Sequence, residues 1–269
     1  MDLEKLESWI GREEHIEDVV TLGPVHLLAV TLEVETPHVL PPLWHWLYFL
    51  PAHRMSDLGP DGHARRGDFL PPVPLPSRMW AGSRLTFHHP LRVGDEIWRT
   101  SRIVSVQSKQ GRTGPLVFVV VKHEISNAAG LAISEEHDIV YRKPLKHAAA
   151  PEAAPVDHQW KRVIEPSEVL LFRYSALTFN GHRIHYDRRY STEHEHYPGL
   201  VVHGPLIATL LLDLLQREMP DASVAQFSFR ALSALYDTAP FSVCGNADGH
   251  LWASNGQGGL AMDARAIFV

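Results

Sequence analysis

Gly204-Pro-Leu-Ile-Ala-Thr-Leu-Leu-Leu-Asp-Leu-Leu-Gln-Arg217 is the stretch on which the fold turns. It is apolar nearly all round, carries Pro205 in its first turn and is closed by Pro220, so it reads as a helix buried on most of its sides. The segments after it are Ala225-Gln-Phe-Ser-Phe-Arg-Ala, Phe241-Ser-Val-Cys-Gly, His250-Leu-Trp-Ala and a closing run from Ala261 to Val269. In them Phe227 and Phe229 alternate with Ser228 and Arg230, and Met262, Ala264, Ala266 and Phe268 alternate with Asp263 and Arg265, as in half-buried strands. One buried helix followed by antiparallel strands predicts a sheet wrapped around that helix, because only then are both apolar faces covered.

The same order of elements appears upstream. Pro41-Pro-Leu-Trp-His-Trp-Leu-Tyr-Phe-Leu50 opens with prolines suited to a helix start and predicts a short buried helix. A Pro/Gly-rich excursion over 56–83 follows. The β-branched runs beginning at Leu85, Leu116 and Leu131 then read as an antiparallel meander, divided by Gly111-Arg-Thr-Gly114 and Asn127-Ala-Ala-Gly130. Between the two halves lies 146–157, KHAAAPEAAPVD, where Ala and Pro replace the alternating pattern as in a linker. The expectation is a duplicated α+β unit: 1–145, a linker over 146–157, and 158–269.

Composition narrows the function. The chain has 269 residues, 45% of them hydrophobic, with 25 Lys and Arg against 31 Asp and Glu. A net charge of -6 gives no overall positive field for nucleic acid or anionic lipid. Cys244 is the only cysteine, which excludes an intrachain disulfide framework and multi-cysteine metal sites and fits a reducing compartment. The N-terminus is acidic and amphipathic, without a secretory or transit signature, and no apolar run approaches the ~20 residues of a membrane span. We therefore expect a cytoplasmic protein without nucleic-acid or membrane partners. The 18 histidines are the composition's unusual feature and the groups able to move protons near neutral pH.

The densest group of candidates is Phe172-Arg-Tyr-Ser-Ala-Leu-Thr-Phe-Asn-Gly-His-Arg-Ile-His-Tyr-Asp187, followed by Tyr197-Pro-Gly-Leu-Val-Val-His-Gly-Pro205 at the start of the buried helix. This pattern resembles the MaoC-like, or type 2, enoyl-thioester hydratase/dehydratases of the hot-dog fold, whose motif is Gly-Asp-x-Asn-Pro-x-His with a later His-Gly before the central helix. Asn180 and His185 reproduce the family's five-residue interval from Asp to His. The wording around them, with Phe229-Arg-Ala-Leu and Asp237-Thr-Ala-Pro-Phe241, is similar to a subgroup containing the mitochondrial 3-hydroxyacyl-thioester dehydratase and bacterial mesaconyl-C4-CoA and itaconyl-CoA hydratases. The likeness is strong over the second half and a matter of pattern, such as Arg92-Val-Gly-Asp-Glu, over the first. It implies a double hot-dog with one catalytic motif per chain, acting on a CoA thioester without metal or other cofactor, in a chain that pairs into a homodimer.

Adding water across an α,β-unsaturated thioester requires a base for the water, a proton for Cα and donors for the charge that develops on the thioester oxygen. His185 is the natural acid/base. Asn180 stands where the family has Asp and cannot accept a proton usefully, so it is expected to orient water through its amide. The backbone N–H of Gly204 at the helix N-terminus is the expected oxyanion donor. Arg183, Arg230 and His203 are candidates for contact with a substrate carboxylate or CoA phosphate. The residues alone leave other readings open: a core histidine at His185, a turn residue at Asn180, structural arginines, and a His203 that only shapes the helix start. His182, His185 and the His194-Glu-His196 group do not form a helical His-Glu-x-x-His pattern, and no metal is expected. The implied substrate is itaconyl-CoA or mesaconyl-C4-CoA, hydrated to citramalyl-CoA. A dehydratase of longer 3-hydroxyacyl thioesters and a non-catalytic acyl-CoA-binding protein are the alternatives. A dicarboxylate calls for an arginine inside the acyl pocket, a long chain for an open apolar tunnel.

Overall fold

The computed structural model describes residues 3–111, 114–143 and 150–269. In chain order the elements are α1 (Leu3–Glu7), β1 (Glu13–Val19), α2 (Leu22–Leu32), β2 (Ser77–Phe87), β3 (Glu96–Gly111), β4 (Gly114–Asn127), β5 (Gly130–Arg142), β6 (Trp160–Ile164), α3 (Glu168–Leu177), α4 (Gly204–Glu218), β7 (Val224–Ala231), β8 (Phe241–Gly245), β9 (His250–Asn255) and β10 (Leu260–Phe268). The strands form one ten-stranded sheet in the order β1-β3-β4-β5-β2-β7-β10-β9-β8-β6, every pairing antiparallel. From its outer edge inward each half runs first, third, fourth, fifth, second strand. The two second strands meet at the centre, Gly82 opposite Arg230 through Thr86 opposite Gln226.

The helix that decides the fold is α4. Leu206, Ile207, Ala208, Thr209, Leu210, Leu211, Leu212, Leu214 and Leu215 are all buried in it, and the helix packs on β8, β6, β9 and β10. At about 2 kcal/mol per buried Leu this one element supplies a large share of the second half's hydrophobic stabilisation. Its polar side is tied down as well, with Asp213 accepting from Arg217 at 2.9 Å and from Arg162 of β6 at 2.5 Å.

The first half departs from the expected helix over 41–50. Only Trp44–Leu47 is helical, as a single 3-10 turn, because Leu43 (φ 72°) and Phe49 (φ 56°) on either side are left-handed and break the ladder. The helix of this half is α2, where Val25, Leu28, Ala29 and Leu32 face the core at the i, i+3, i+4, i+7 spacing of an amphipathic helix. Each half also carries a strand, β1 ahead of α2 and β6 ahead of α3. The hairpins fall where expected: Asn127 pairs with Gly130 (φ 113°) across a two-residue loop, and Gly111 pairs with Gly114. Of the linker, 146–149 lies outside the described residues. The part after it runs beside β10, with Leu260 N–H donating to Glu152 and Ala154 N–H to Gly258.

One core is shared by the halves, joining α2, α3 and α4 to Leu85, Phe227, Phe229, Met262 and Ala264. A second lies over β3 and β4, where Val73 and Leu75 of the excursion cover Ile103, Val117, Val119, Val121 and Tyr141. Arg66 fixes the return of that excursion by donating to the carbonyls of Val73, Leu75 and Pro76. The first half also buries a charged group. Glu135, 2% exposed, meets His137 at 2.6 Å, His45 at 3.1 Å and the Trp46 indole N–H at 3.2 Å.

Candidate active site

The segment from Asn180 to His185 leaves α3 through a tight reversal. Ser167 caps the start of α3 by accepting from the Leu170 N–H at 3.2 Å. At its end Phe179 is left-handed (φ 49°), Asn180 N–H reaches back to Ser175 O at 2.8 Å and Phe179 N–H to Ala176 O at 3.4 Å. This is the Schellman arrangement with a phenylalanine where glycine is usual. It turns the chain so that Asn180, on leaving the helix, accepts the His182 N–H on Oδ1 at 3.0 Å. The amide oxygen of Asn180 is thus committed to a turn, and its NH2 has no acceptor among the described residues.

A short 3-10 turn, Arg183–His185, then buries His185. Its Nδ1 lies 2.7 Å from the carbonyl oxygen of Val201. A carbonyl only accepts, so Nδ1 carries the proton and Nε2 is left as a bare acceptor, the form a general base needs. The His203 ring stacks on His185 with centroids 3.8 Å apart, and its Nε2 is 2.8 Å from Ser175 Oγ. His203 thus holds the His185 ring against the end of α3. The next residue is Gly204, whose N–H belongs to the first turn of α4 and has no helical acceptor. A Cβ built there would meet nothing within 4 Å, so the approach to that N–H is open.

The structure adds groups that the sequence reasoning missed. The tip of the excursion docks on the segment from Asn180 to His185: Arg183 N–H donates to Asp61 O at 2.9 Å and Arg183 Nη1 to Pro60 O at 2.9 Å. His63 then lies on the His182 ring, centroids 4.1 Å apart, and His182 stands edge-on to His185 at 5.5 Å. Asp61 accepts from the His63 backbone at 3.1 Å and from its Nδ1 at 3.2 Å. A long Pro/Gly-rich connection of this kind, which runs into β2 from Ser77 on, is itself a signal of function.

The other predicted contacts are accounted for differently. The Arg183 guanidinium donates twice to Asp187, at 2.9 and 2.7 Å, and lies 4.2 Å above the Tyr190 ring. Arg230 is exposed, on the opposite face from the buried Phe227 and Phe229. There it lines a shallow groove with Arg84, Lys109 and Arg265 and is not brought to the histidines.

The electrostatics keep the histidines of this cluster uncharged. Burial pushes His185 down to about 4 against the supporting hydrogen bond to Val201. Burial, with His63 and His185 beside it, takes His182 to about 2. His63 and His203 are also lowered, chiefly by burial. For Asp61 burial pulls upward, but the hydrogen bond and charge of His63 prevail and hold the carboxyl below its usual range. The donor atoms of Asp61, His63 and His182 lie within 4.8 Å of one another, a set with the chemistry to hold a divalent cation. Asp61 and His63 already satisfy each other there by hydrogen bonds. The arrangement as a whole offers a bare imidazole nitrogen on His185, an uncommitted amide NH2 on Asn180 and a free helix-terminal N–H on Gly204, with a loop tip of the first half packed against the same segment.

Comparison with known proteins agrees with this chemistry. Solved structures with the same fold include a MaoC-like dehydratase (TM-score 0.70, 14% identity, covering 97% of this chain and 99% of that one). A protein of Mycobacterium tuberculosis described as a double hotdog fold also matches (TM-score 0.58, 13% identity, 97% and 96% covered). Among curated proteins, the mesaconyl-C(4)-CoA hydratase of Chloroflexus aurantiacus is 47% identical over 96% of this chain and 95% of its own length. The mitochondrial hydroxyacyl-thioester dehydratase type 2 of Schizosaccharomyces pombe is 27% identical over 88% and 91%. The profile of one family matches residues 43–237, a span that takes in the docked loop, the Asn180 to His185 segment and the start of α4. The chain is accordingly a double hot-dog hydro-lyase that belongs to the hydroxyacyl-thioester dehydratase type 2 family.

Proposed function

We propose that this enzyme hydrates a short dicarboxylic enoyl-CoA, with mesaconyl-C4-CoA or itaconyl-CoA converted to citramalyl-CoA. The observation that carries the reading is the 47% identity, nearly end to end, with a mesaconyl-C(4)-CoA hydratase. In the proposed step on mesaconyl-C4-CoA, His185 Nε2 takes a proton from water and the hydroxyl adds to the β carbon. The double-bond electrons move onto the thioester oxygen, facing the Gly204 N–H. The imidazolium then returns its proton to the α carbon, so His185 ends as it began. Its Nδ1–H donates to Val201 throughout, which supports the transient positive charge. Asn180 orients the water through its NH2, and His203 positions the His185 ring.

The working unit is the two-half chain, 1–145 and 158–269 joined by 146–157, with the catalytic motif in the second half. Exposed Leu27 and Val30 on α2 and Val169 and Phe172 on α3, two helices in mutual contact, favour pairing into a homodimer. The lone, buried Cys244 favours the cytoplasm. Among the described residues no helix is long and apolar enough to cross a membrane.

Purified enzyme incubated with mesaconyl-C4-CoA, itaconyl-CoA and crotonyl-CoA should consume the enoyl thioester, and His185→Ala should stop it. Full activity in the His185 variant would overturn the assignment. Turnover confined to long-chain thioesters would transfer it to the reading suggested by the yeast relative.

A further inference from the structure

We propose that Ser175 is a positioning residue for hydration: its hydroxyl donates to His203 Nε2, and the tied His203 ring fixes the plane in which His185 Nε2 meets water. The inference rests on His185 as the base and adds the group on α3 that aims it.

The need for such a group comes from the geometry of His185. One hydrogen bond, from Nδ1 to the Val201 carbonyl at 2.7 Å, holds the ring by a single corner. A bond of this kind tolerates roughly 30° of rotation before it weakens, so alone it does not fix the direction of Nε2 on the other corner. His203 supplies the second restraint. It lies nearly flat against His185, with centroids 3.8 Å apart and ring planes 18° apart, so a swing of the His185 ring towards it is blocked. That restraint is only as firm as the His203 ring itself. The ring is held by Ser175 Oγ, 2.8 Å from its Nε2, with the Tyr174 ring edge-on to it at 5.1 Å.

Ser175 is buried within α3, where a serine hydroxyl ordinarily faces solvent or returns to the carbonyl one turn back. Here its one hydrogen-bond partner among the described residues is His203, 28 residues further along the chain. Counting protons gives the direction of that bond. His203 Nδ1 is buried and has no partner. If Nε2 carried the proton, the Ser175 hydroxyl hydrogen and the bare Nδ1 would both be left unpaired in the interior. With the hydroxyl as donor only the Nδ1–H is unpaired, which is the less costly arrangement. Burial keeps the ring uncharged, so a neutral Nδ1–H tautomer stands against His185. A ring placed for its own hydrogen bonding would not leave Nδ1 without a partner; this one is placed against His185.

The test measures kcat and KM on whichever of mesaconyl-C4-CoA, itaconyl-CoA and crotonyl-CoA the wild type hydrates fastest. Ser175→Ala, a change that a helix accepts readily, should lower kcat by roughly 10- to 100-fold, the scale of a lost near-attack alignment, and leave KM almost unmoved. His203→Phe keeps a ring face but not the tie to α3 and should lower kcat by a similar factor. Because Ser175 acts through His203, adding Ser175→Ala to His203→Phe should lower kcat no further. In wild-type protein isotope-labelled at its histidine nitrogens, NMR should find the His203 proton on Nδ1, a reading that stands even if the His203 variant does not fold. Wild-type kcat in Ser175→Ala, a loss carried by KM, a loss that recurs in full in the double variant, or a His203 proton on Nε2 would overturn the inference. An inactive His185→Ala enzyme would leave the base assignment standing after any of these results, whereas an active one would overturn both.

Discussion

The docking of the excursion on the segment from Asn180 to His185 can be broken by a single methyl group. Gly62 has φ 87°, and a Cβ placed on it would lie 1.9 Å from the carbonyl oxygen of Gly181. Contacts below 3.0 Å do not occur, so Gly62→Ala must push two backbones apart by at least about 1.1 Å (3.0 minus 1.9), and no side-chain rotation can relieve it. That displacement breaks the hydrogen bonds from Arg183 to Asp61 and Pro60, at about 1 kcal/mol each. The left-handed conformation adds roughly 1–2 kcal/mol for a residue with a Cβ. The total, about 3–4 kcal/mol, raises the undocked fraction of the loop tip by roughly 10²- to 10³-fold. Because Val73 and Leu75 still anchor the return of the loop, the cost falls on local opening more than on global stability. We expect kcat/KM for hydration to fall at least tenfold, thermal melting to drop by a few degrees, and trypsin to cut after the exposed Arg65 faster than in wild type. Gly181→Ala, whose Cβ would be 2.8 Å from Gly62 O, should be intermediate in all three measurements. Gly204→Ala should leave melting and proteolysis as they are and reduce hydration alone, because its methyl enters open space. A Gly62→Ala enzyme with wild-type kcat/KM and wild-type proteolysis would refute the idea that the docked tip completes the site.

Three other outcomes follow from particular side chains. His185 is held near 4 in the folded chain and returns to about 6.5 on unfolding, so between these values the unfolded chain binds a proton that the native one does not. The corresponding stability, roughly 3 kcal/mol, is present above pH 6.5 and is lost as pH falls towards 4. Urea midpoints should therefore decline across that window, and an undiminished slope in His185→Gln would count against the assignment. Asn180→Asp should fold normally and keep measurable hydration, since a carboxylate oxygen can accept the His182 N–H as the amide oxygen does; total inactivity would mean that the NH2 is indispensable. For Glu135, burial pulls its carboxyl upward but His137 and His45 outweigh it and hold it well below the usual range. Glu135→Gln leaves these partners uncompensated in the interior, which should cost about 3–5 kcal/mol and lower Tm by roughly 6–20 °C. An unchanged Tm would show that the group is not buried as an ion.

How far the sequence could be read depended on the range over which each feature is encoded. The α4 helix and the two hairpin turns are local patterns, and 204–217, 111–114 and 127–130 could be read directly. The five residues from Asn180 to His185 are local too, and so were accessible. The α2 helix was missed although Val25, Leu28, Ala29 and Leu32 carry the helical spacing, because the Trp-rich stretch at 44–49 looked more apolar. There, two left-handed residues override propensity. β1 escaped notice because Glu13, Glu14, Glu17 and Asp18 make it as charged as a loop. Asp61 and His63 could not be located from pattern at all: their partners, His182 and Arg183, are more than a hundred residues away in the chain. The exposed face of Arg230 is set by the pleat phase of β7, and the engagement of Arg183 by an i+4 aspartate, neither of which residue type alone reveals.

The pairing of β2 with β7 sets a schedule for biosynthesis. β2 ends at Phe87 and β7 begins at Val224, so 137 residues (224 minus 87) must be made before the seam can close. At about 5–20 residues per second this takes roughly 7–27 s. During that interval the first half presents an unpaired edge at β2 on the ribosome, with Leu85, later covered by the shared core, beside it. Cellular yield should then depend on how that edge is shielded until the second half emerges, and chaperone supply or translation pauses between the halves become determinants of how much enzyme a cell obtains.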